Sequence, residues 1–481
     1  MTPHNFATTC CTHTCIPADS VTRIGYLILA AGKGTRMHSS APKVLQRVLD
    51  KPLLGYVLDA LADVPSDQVW SVIGHGADQV RAAFTDPKYH FILQGEQRGT
   101  GHALRIAWPT IEEHKLDYVC VVNGDTPCVP RTDLDRLIMA CMAANAGMGI
   151  LTLNLDNPTG YGRVVRAQDG TIRDIIEEKD CDAQTRDIHE VNAGIYVFSV
   201  PRCRHLLARL DDHNAQGEFY ITQLVRLCTE AHMPVHGVSF THACGMLGIN
   251  TPQELTGVED NLRTEIVAHW IQAGVSIRQP GLVSIGPDVV LEPGVQITGP
   301  AEIYGHSRIT GGAVVESHCW LRDATLQACQ VRSFSHIESA HVGTGAVIGP
   351  FARLRPGTII EDQARVGNFV EVKNSVLRCG AKASHLSYLG DSEIGAHANI
   401  GAGTITCNYD GQRKHRTNIG SRAFIGSNTA LVAPVEVGEQ AVVGAGSVVT
   451  KSVPPQALCI ARAKQTNLTG WKPKSSSTQK D

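Results

Sequence analysis

The sequence predicts an α/β protein in two parts, an open parallel sheet flanked by helices and then a parallel β-helix. Three observations carry this reading. Aliphatic residues recur at every sixth position through most of 283–453. Upstream, short buried-strand patterns alternate with helical stretches. Glycine is abundant, with 46 residues, while aromatic residues make up only 5%, the balance a glycine-cornered solenoid requires.

The six-residue rhythm falls into three registers. Ile285, Leu291, Ile297, Ile303, Ile309, Val315 and Leu321 form the first; Val342, Ile348, Leu354, Ile360, Val366 and Val372 the second; Ile419, Ile425, Leu431, Val437, Val443 and Val449 the third. A period of six matches neither the 3.6 of an amphipathic helix nor the 2 of a half-buried strand. It is the pattern of hexapeptide repeats in a left-handed parallel β-helix. Each aliphatic residue is expected to point into a three-sided prism, and the glycine that often follows it to allow the tight corner. Three hexads close one coil, so residues 18 apart stack in neighbouring coils. Arg355 and Lys373 are 18 apart, as are Ser427 and Ala445. Arg355 and Lys373 each follow an inward aliphatic residue, which puts two cations on one face. They are expected either to bind a phosphate or to pair with Glu371 or Glu361. The rhythm breaks between about Thr406 and Thr417, which predicts a loop ejected from the prism, Asn408 through Lys414.

A length of 481 residues implies about two to four domains. With 43% hydrophobic and 19% charged residues the chain reads as soluble and globular. A net charge of -3 gives no pull toward nucleic acid or an anionic membrane. No apolar run approaches the roughly 20 residues of a membrane span. The 15 cysteines are scattered, many inside apolar segments, and are expected to be small buried hydrophobes in a reducing, cytoplasmic compartment. Cys10, Cys11, His13 and Cys15 cluster, but their spacing matches no common zinc finger. Residues 1–22 are read as a disordered extension. They lack the apolar core of a secretory signal.

The first strand pattern, Ile24 to Leu29, runs into Ala30-Ala31-Gly32-Lys33-Gly34-Thr35-Arg36-Met37. Small residues after a strand let backbone amides approach a nucleotide, and Lys33 and Arg36 bring charge for a polyphosphate. Neither the dinucleotide fingerprint nor the P-loop is present. Val69 to Ile73, Phe91 to Leu93 and Tyr118 to Val122 read as further strands. The last two lead into Gln94 through Ala103 and into Asn123-Gly124-Asp125. In open α/β sheets the ligand crevice lies beyond the carboxyl ends of the strands. Asp125 there suits Mg²⁺ held against phosphates, or else a turn carboxylate. Thr251-Pro252-Gln253-Glu254 is a helix start. The expected divisions are a Rossmann-like domain at 23–251, a linker helix at 252–273, the β-helix at 274–460 and a tail at 461–481.

Leu29 through Met37 with Pro42-Lys43 resembles the sugar-nucleotide pyrophosphorylases. Joined to the hexads, it resembles the bacterial bifunctional family of N-acetylglucosamine-1-phosphate uridylyltransferase/glucosamine-1-phosphate N-acetyltransferases. The most specific matches are Gly349 to Gly357, Gly367 to Lys373 and Gly401 to Gly411. The resemblance implies a nucleotidyltransferase domain followed by an acetyltransferase prism. It implies nucleotide-sugar contacts at Leu29, Ala30, Ala31, Gly32, Lys43, Gln94, Gly99, Thr100, Asn123, Gly124, Asp125, Gly162, Glu177, Asn192 and Asn250, with Asp125 and Asn250 as Mg²⁺ ligands. It implies His385 as the general base of acetyl transfer, a task that suits an imidazole titrating near about 6.5. Arg355, Lys373, Tyr388 and Asn399 would hold the sugar phosphate, and Ala402, Asn408, Tyr409, Ser427, Ala445 and Arg462 acetyl-CoA. The substrates implied are UTP, N-acetylglucosamine 1-phosphate, glucosamine 1-phosphate and acetyl-CoA, in a homotrimer. Two positions depart from the family's pattern: Asn123 stands where Tyr is common and Ala193 where Thr is common. A single-activity nucleotidyltransferase, a non-catalytic interaction protein and a β-helical zinc enzyme are the alternatives. They predict, in turn, no base or phosphate cluster on the prism, loss of Lys43 or Asp125, and histidines clustered on adjacent coils.

Overall fold

The computed structural model describes residues 22–240 and 248–472. The cluster Cys10, Cys11, His13 and Cys15 lies outside the described residues. Two compact units divide within the helix Pro252–Gln272, at Ile266 and Val267.

The N-terminal unit is a three-layer α/β fold. Strands Ile24–Ala30, Val69–Ile73, His90–Leu93 and Tyr118–Asn123 form where the sequence has short apolar runs, and they pair in parallel. Strand Glu190–Ser199 lies antiparallel between Tyr118–Asn123 and Met148–Asn154. Alternation along each strand feeds two cores. Leu27, Trp70, Val72, Val119 and Val121 pack with the helices Thr100–Glu113 and Gln223–Glu230. Tyr26, Ile28, Cys120 and Val122 pack with Leu53–Ala60 and Arg131–Ala143. A sheet covered on both faces leaves only its strand ends for a ligand.

The C-terminal unit is the expected left-handed β-helix of hexapeptide repeats. Its three parallel sheets have 11, 10 and 9 strands. The residues of the three registers are buried, and each contributes about 2 kcal/mol of apolar burial. A slip of one residue would turn a whole row outward, so the register is strongly held. The break in rhythm between Leu321 and Val342 is not a break in the prism. Leu326, Val331 and Ile337 fill the interior there, fully buried. The coil from Trp320 to His336 is simply shorter, 16 residues by register, whereas Arg353 pairs with Glu371 at the full 18.

Gly349, after Ile348, takes the left-handed backbone expected at a corner, with φ 90°, but Gly367 and Gly426 serve a different purpose. The left-handed backbone falls two positions later, on Phe369 after Gly367 and on Asn428 after Gly426, with φ 56° and 55°. What the earlier glycine permits is contact between coils. A Cβ on Gly367 would sit 1.9 Å from the carbonyl oxygen of Ser384, and one on Gly426 2.4 Å from the nitrogen of Ala445. Gly367→Ala should therefore cost at least about 3 kcal/mol by forcing two coils apart. Thermal unfolding should report a drop of several degrees, and an unchanged melting temperature would refute the packing argument.

Candidate functional sites

In the N-terminal unit a cleft of about 530 Å³ opens at the carboxyl ends of the strands. Leu29, Ala30, Ala31, Gly32, Lys43, Gln94, Gly99, Thr100, Asn123, Asp125 and Asn250 line it, together with Lys33, Arg36 and Glu218. Three chain segments meet in its polar centre. The Lys43 ammonium contacts the Asp125 carboxylate and donates to Asn250 Oδ1 at 2.8 Å. Arg36 donates to the same oxygen at 2.8 Å. Asn250 is placed by the helix start read from the sequence. Glu254 accepts from the amides of Asn250 and Thr251, at 2.5 and 3.1 Å, while Thr251 Oγ1 accepts from the amide of Glu254 at 3.2 Å. This is a capping box. Asp125 Oδ1 is buried without a hydrogen-bond partner among the described residues.

Gly124 sits behind the cleft, its amide donating to Leu29 O at 2.9 Å. Gly162, Glu177 and Asn192 form a second group. The amide of Asn192 donates to Gly162 O at 2.9 Å, and a Cβ on Gly162 would lie 3.4 Å from Glu177 Oε2. Glu177 lines a separate hollow of about 190 Å³ with Thr222. Burial pushes its carboxyl above the usual range, against the Thr222 hydroxyl that donates to it at 2.9 Å. Arg163, only 2% exposed, pairs with Glu178 at 2.8 Å. Glu178 also accepts from the Gly160 amide, so this pair fastens the loop that carries Gly162. The departure at Asn123 is accommodated by a glycine: a Cβ on Gly194 would lie 2.4 Å from Asn123 Nδ2.

On the prism, stacking brings several expected residues to one face. Arg353, Glu371 and Tyr388 stand in one outward column of the 10-stranded sheet, and Arg355 stacks on Lys373 in the next. Arg355 pairs with Glu371 at 2.8 Å, so the bland expectation for that arginine is met. Lys373 has no ion pair among the described residues, and Asp391 offsets its cationic neighbours only in part. Lys414 beside it, and then Arg355, hold its pKa below that of an ordinary lysine. Three cations that repel one another favour a dianion among them. Lys414 comes from the ejected loop and carried no signal beyond its place there. That loop is braced by Asp410, which accepts from the amides of Gln412 and Arg413 at 2.8 and 2.6 Å and from His415 at 2.7 Å. Tyr409 donates to Gly411 O at 2.6 Å. Asn408 Nδ2 donates to Asp391 at 2.5 Å.

His385 lies at the corner just before Tyr388 and is exposed. Its Nδ1 is 2.7 Å from Asn368 Oδ1, one coil below. With an amide oxygen facing Nδ1, that nitrogen is the donor and Nε2 keeps its lone pair for a substrate. Asn368 was not singled out in the sequence, because only the closing of a coil makes it a neighbour. Ala402, Ser427 and Ala445 follow on the same corner in successive coils. Asn428 N donates to Ala402 O at 2.7 Å and Gly446 N to Ser427 O at 2.8 Å. Arg462 reaches back to Ala445 O at 2.5 Å. Asn399 stands apart, in the 11-stranded sheet on the neighbouring face, between Lys382 and Phe424.

Two family models match the chain, the MobA-like NTP transferase domain at residues 26–224 and the hexapeptide repeat of succinyl-transferase at 416–451. "Bifunctional protein GlmU" of Oleidesulfovibrio alaskensis is 52% identical over 447 residues, covering 92% of this chain and 97% of that protein. The same-named protein of Nitratidesulfovibrio vulgaris strain DP4 is 53% identical, over 92% of this chain and 98% of its own. That of Acinetobacter baumannii strain ACICU is 42% identical, over 91% and 96%. With relatives of this identity along almost its whole length, and with a nucleotidyltransferase fold followed by a hexapeptide prism, the chain belongs to the family of bifunctional GlmU proteins.

Proposed function

We propose that the two units catalyse consecutive steps, acetylation of glucosamine 1-phosphate on the prism and uridylylation of the product in the N-terminal cleft. Membership of the family makes the chain an enzyme with uridylyltransferase and acetyltransferase activities. The observation that carries the reading is the presence, on separate units, of a cationic cleft at strand ends and of a prism whose corner carries His385, held by Asn368, and whose adjoining flat carries a cluster of cations.

In the cleft, a phosphate oxygen of N-acetylglucosamine 1-phosphate attacks the α-phosphorus of UTP and pyrophosphate leaves. The attacking oxygen is already anionic, so no strong base is needed. Lys43 and Arg36 neutralise charge that spreads in the transition state. Asp125 and Asn250 fit a Mg²⁺ ion. One carboxylate and one amide oxygen, with a buried carboxylate oxygen left unpartnered, suit a hard cation that takes its remaining oxygens from phosphates and water. Bound Mg²⁺ would add charge neutralisation to that of the two side chains. Gly162, Glu177 and Asn192 are assigned to the sugar.

On the prism, the glucosamine nitrogen attacks the thioester carbonyl of acetyl-CoA. His385 Nε2 takes its proton as the C–N bond forms, and the CoA thiolate leaves. Asn368 keeps the ring in that tautomer. Arg355, Lys373 and Lys414 hold the phosphate, and Tyr388 the sugar. A single prism is convex, and Asn399 lies round the corner from this face. That arrangement supports a site shared between copies in a homotrimer. An exposed aromatic ladder supports it too: Phe334, Phe351 and Phe369 stack at centroid distances of 4.8 and 5.3 Å along one corner. Sedimentation showing one or two copies would remove the trimer. No helix among the described residues is long and apolar enough to cross a membrane. We place the enzyme in the cytoplasm, with its co-substrates.

The test is purified protein with glucosamine 1-phosphate, acetyl-CoA, UTP and Mg²⁺, followed by mass spectrometry. Omitting UTP should leave N-acetylglucosamine 1-phosphate accumulating. Omitting acetyl-CoA should give neither that product nor UDP-N-acetylglucosamine. UDP-glucosamine as the main product in the second case would reverse the order of steps.

A further inference from the structure

Gln94 is only 3% exposed, yet it forms part of the cleft wall. Its Nε2 lies 3.2 Å from the carbonyl oxygen of Gly99 and 3.1 Å from His102 Nδ1. A carbonyl can only accept, so the NH₂ end of the amide faces Gly99. Its second hydrogen then goes to His102, which accepts at Nδ1 and carries its own proton on Nε2. Burial, then Arg105 and Arg98, lower the pKa of the His102 ring, while the backbone and charge of Glu96 pull the other way. Phe219 covers it at 6.1 Å between ring centroids. Both hydrogens of the Gln94 amide are thus engaged behind the wall. Its Oε1 accepts no hydrogen bond among the described residues.

We propose that His102 is a positioning residue for base specificity: it holds the amide oxygen of Gln94 outward, so that the cleft selects a pyrimidine carrying a hydrogen on ring N3. This rests on the uridylyl reading of the cleft, with Gln94 against the base. Uracil N3–H donates to that oxygen. Cytosine presents a lone pair at N3 and meets the oxygen lone pair to lone pair. A turned amide would suit cytosine, and His102 together with Gly99 opposes that turn.

The experiment compares kcat/KM for UTP, CTP and dTTP in the full chain. His102→Leu removes the acceptor and keeps much of the bulk. Loss of one hydrogen bond should reduce the preference for UTP over CTP by about fivefold. His102→Asn, whose amide oxygen can stand near the Nδ1 position, should retain the preference. The ratio of UTP to dTTP, which share a ring edge, should stay constant in both variants. Acetyl transfer and thermal unfolding report whether each variant is folded. If the folded leucine variant keeps its preference, or loses UTP and CTP turnover in equal proportion, His102 does not set specificity. If the unaltered protein turns over neither nucleotide, the uridylyl reading itself fails, a result distinct from the former two.

Discussion

Asp125→Ala should lower uridylyl transfer by about a thousandfold, roughly 4 kcal/mol of transition-state stabilisation, and leave acetyl transfer at its original rate. The size follows from what surrounds this carboxylate. It contacts the Lys43 ammonium, sits beside Asn250 and holds one oxygen buried and unpartnered. Its removal takes away the only carboxylate we assign to the metal and frees Lys43 from its anchor. Both losses act where negative charge accumulates as pyrophosphate departs. The two half-reactions, assayed separately on one preparation, decide the matter. Loss of both activities in a folded protein would show that the two sites are not independent.

The second large effect is the mirror of the first. His385→Ala should slow acetyl transfer by about a thousandfold, within the range for removal of a positioned general base. Uridylylation of supplied N-acetylglucosamine 1-phosphate should be unchanged. A shared site adds a further expectation. His385→Ala mixed with Asn399→Ala, after dissociation and reassembly, should regain measurable acetyl transfer. Some mixed assemblies then bring an intact His385 on one copy against an intact Asn399 on another. Activity no higher than the sum of the separate variants would confine each site to one chain.

Much of this was legible before any coordinates, for reasons particular to each feature. Ile285, Ile348 and Ile425 announce the prism because each flat turns one large aliphatic side chain inward at a fixed interval, with a second buried residue such as Val283, Ala346 or Ala423 two positions before it. Asp125 was legible because strand ends are where open sheets place ligands. Where the coils shorten to 16 residues the same interior hides, since a fixed six-residue ruler loses step after Leu321. Gly367 and Gly426 were seen but misexplained. A lone sequence shows a missing side chain, not the neighbouring coil that forbids it. Asn368 and Lys414 lie in segments the sequence marks, but nothing in the sequence assigns either a role. The first meets His385 only across a hydrogen-bonded step of the solenoid, and the second meets Lys373 only once its loop has folded on Asp410. The antiparallel strand Glu190–Ser199 was likewise invisible, because pairing direction leaves no local trace.

The stacking of Arg355 on Lys373 and of Ser427 on Ala445 makes the solenoid behave like a spiral staircase whose flats stay in line although its turns take up small differences of length at their corners. Adding or deleting a complete turn below Arg353 would lengthen or shorten the stair while leaving every later tread aligned. A single extra residue inside a flat would rotate all that follows out of phase. Members of this family should therefore differ in solenoid length by whole revolutions, and smaller insertions should collect where the stair already juts outward, as it does from Asn408 to Lys414.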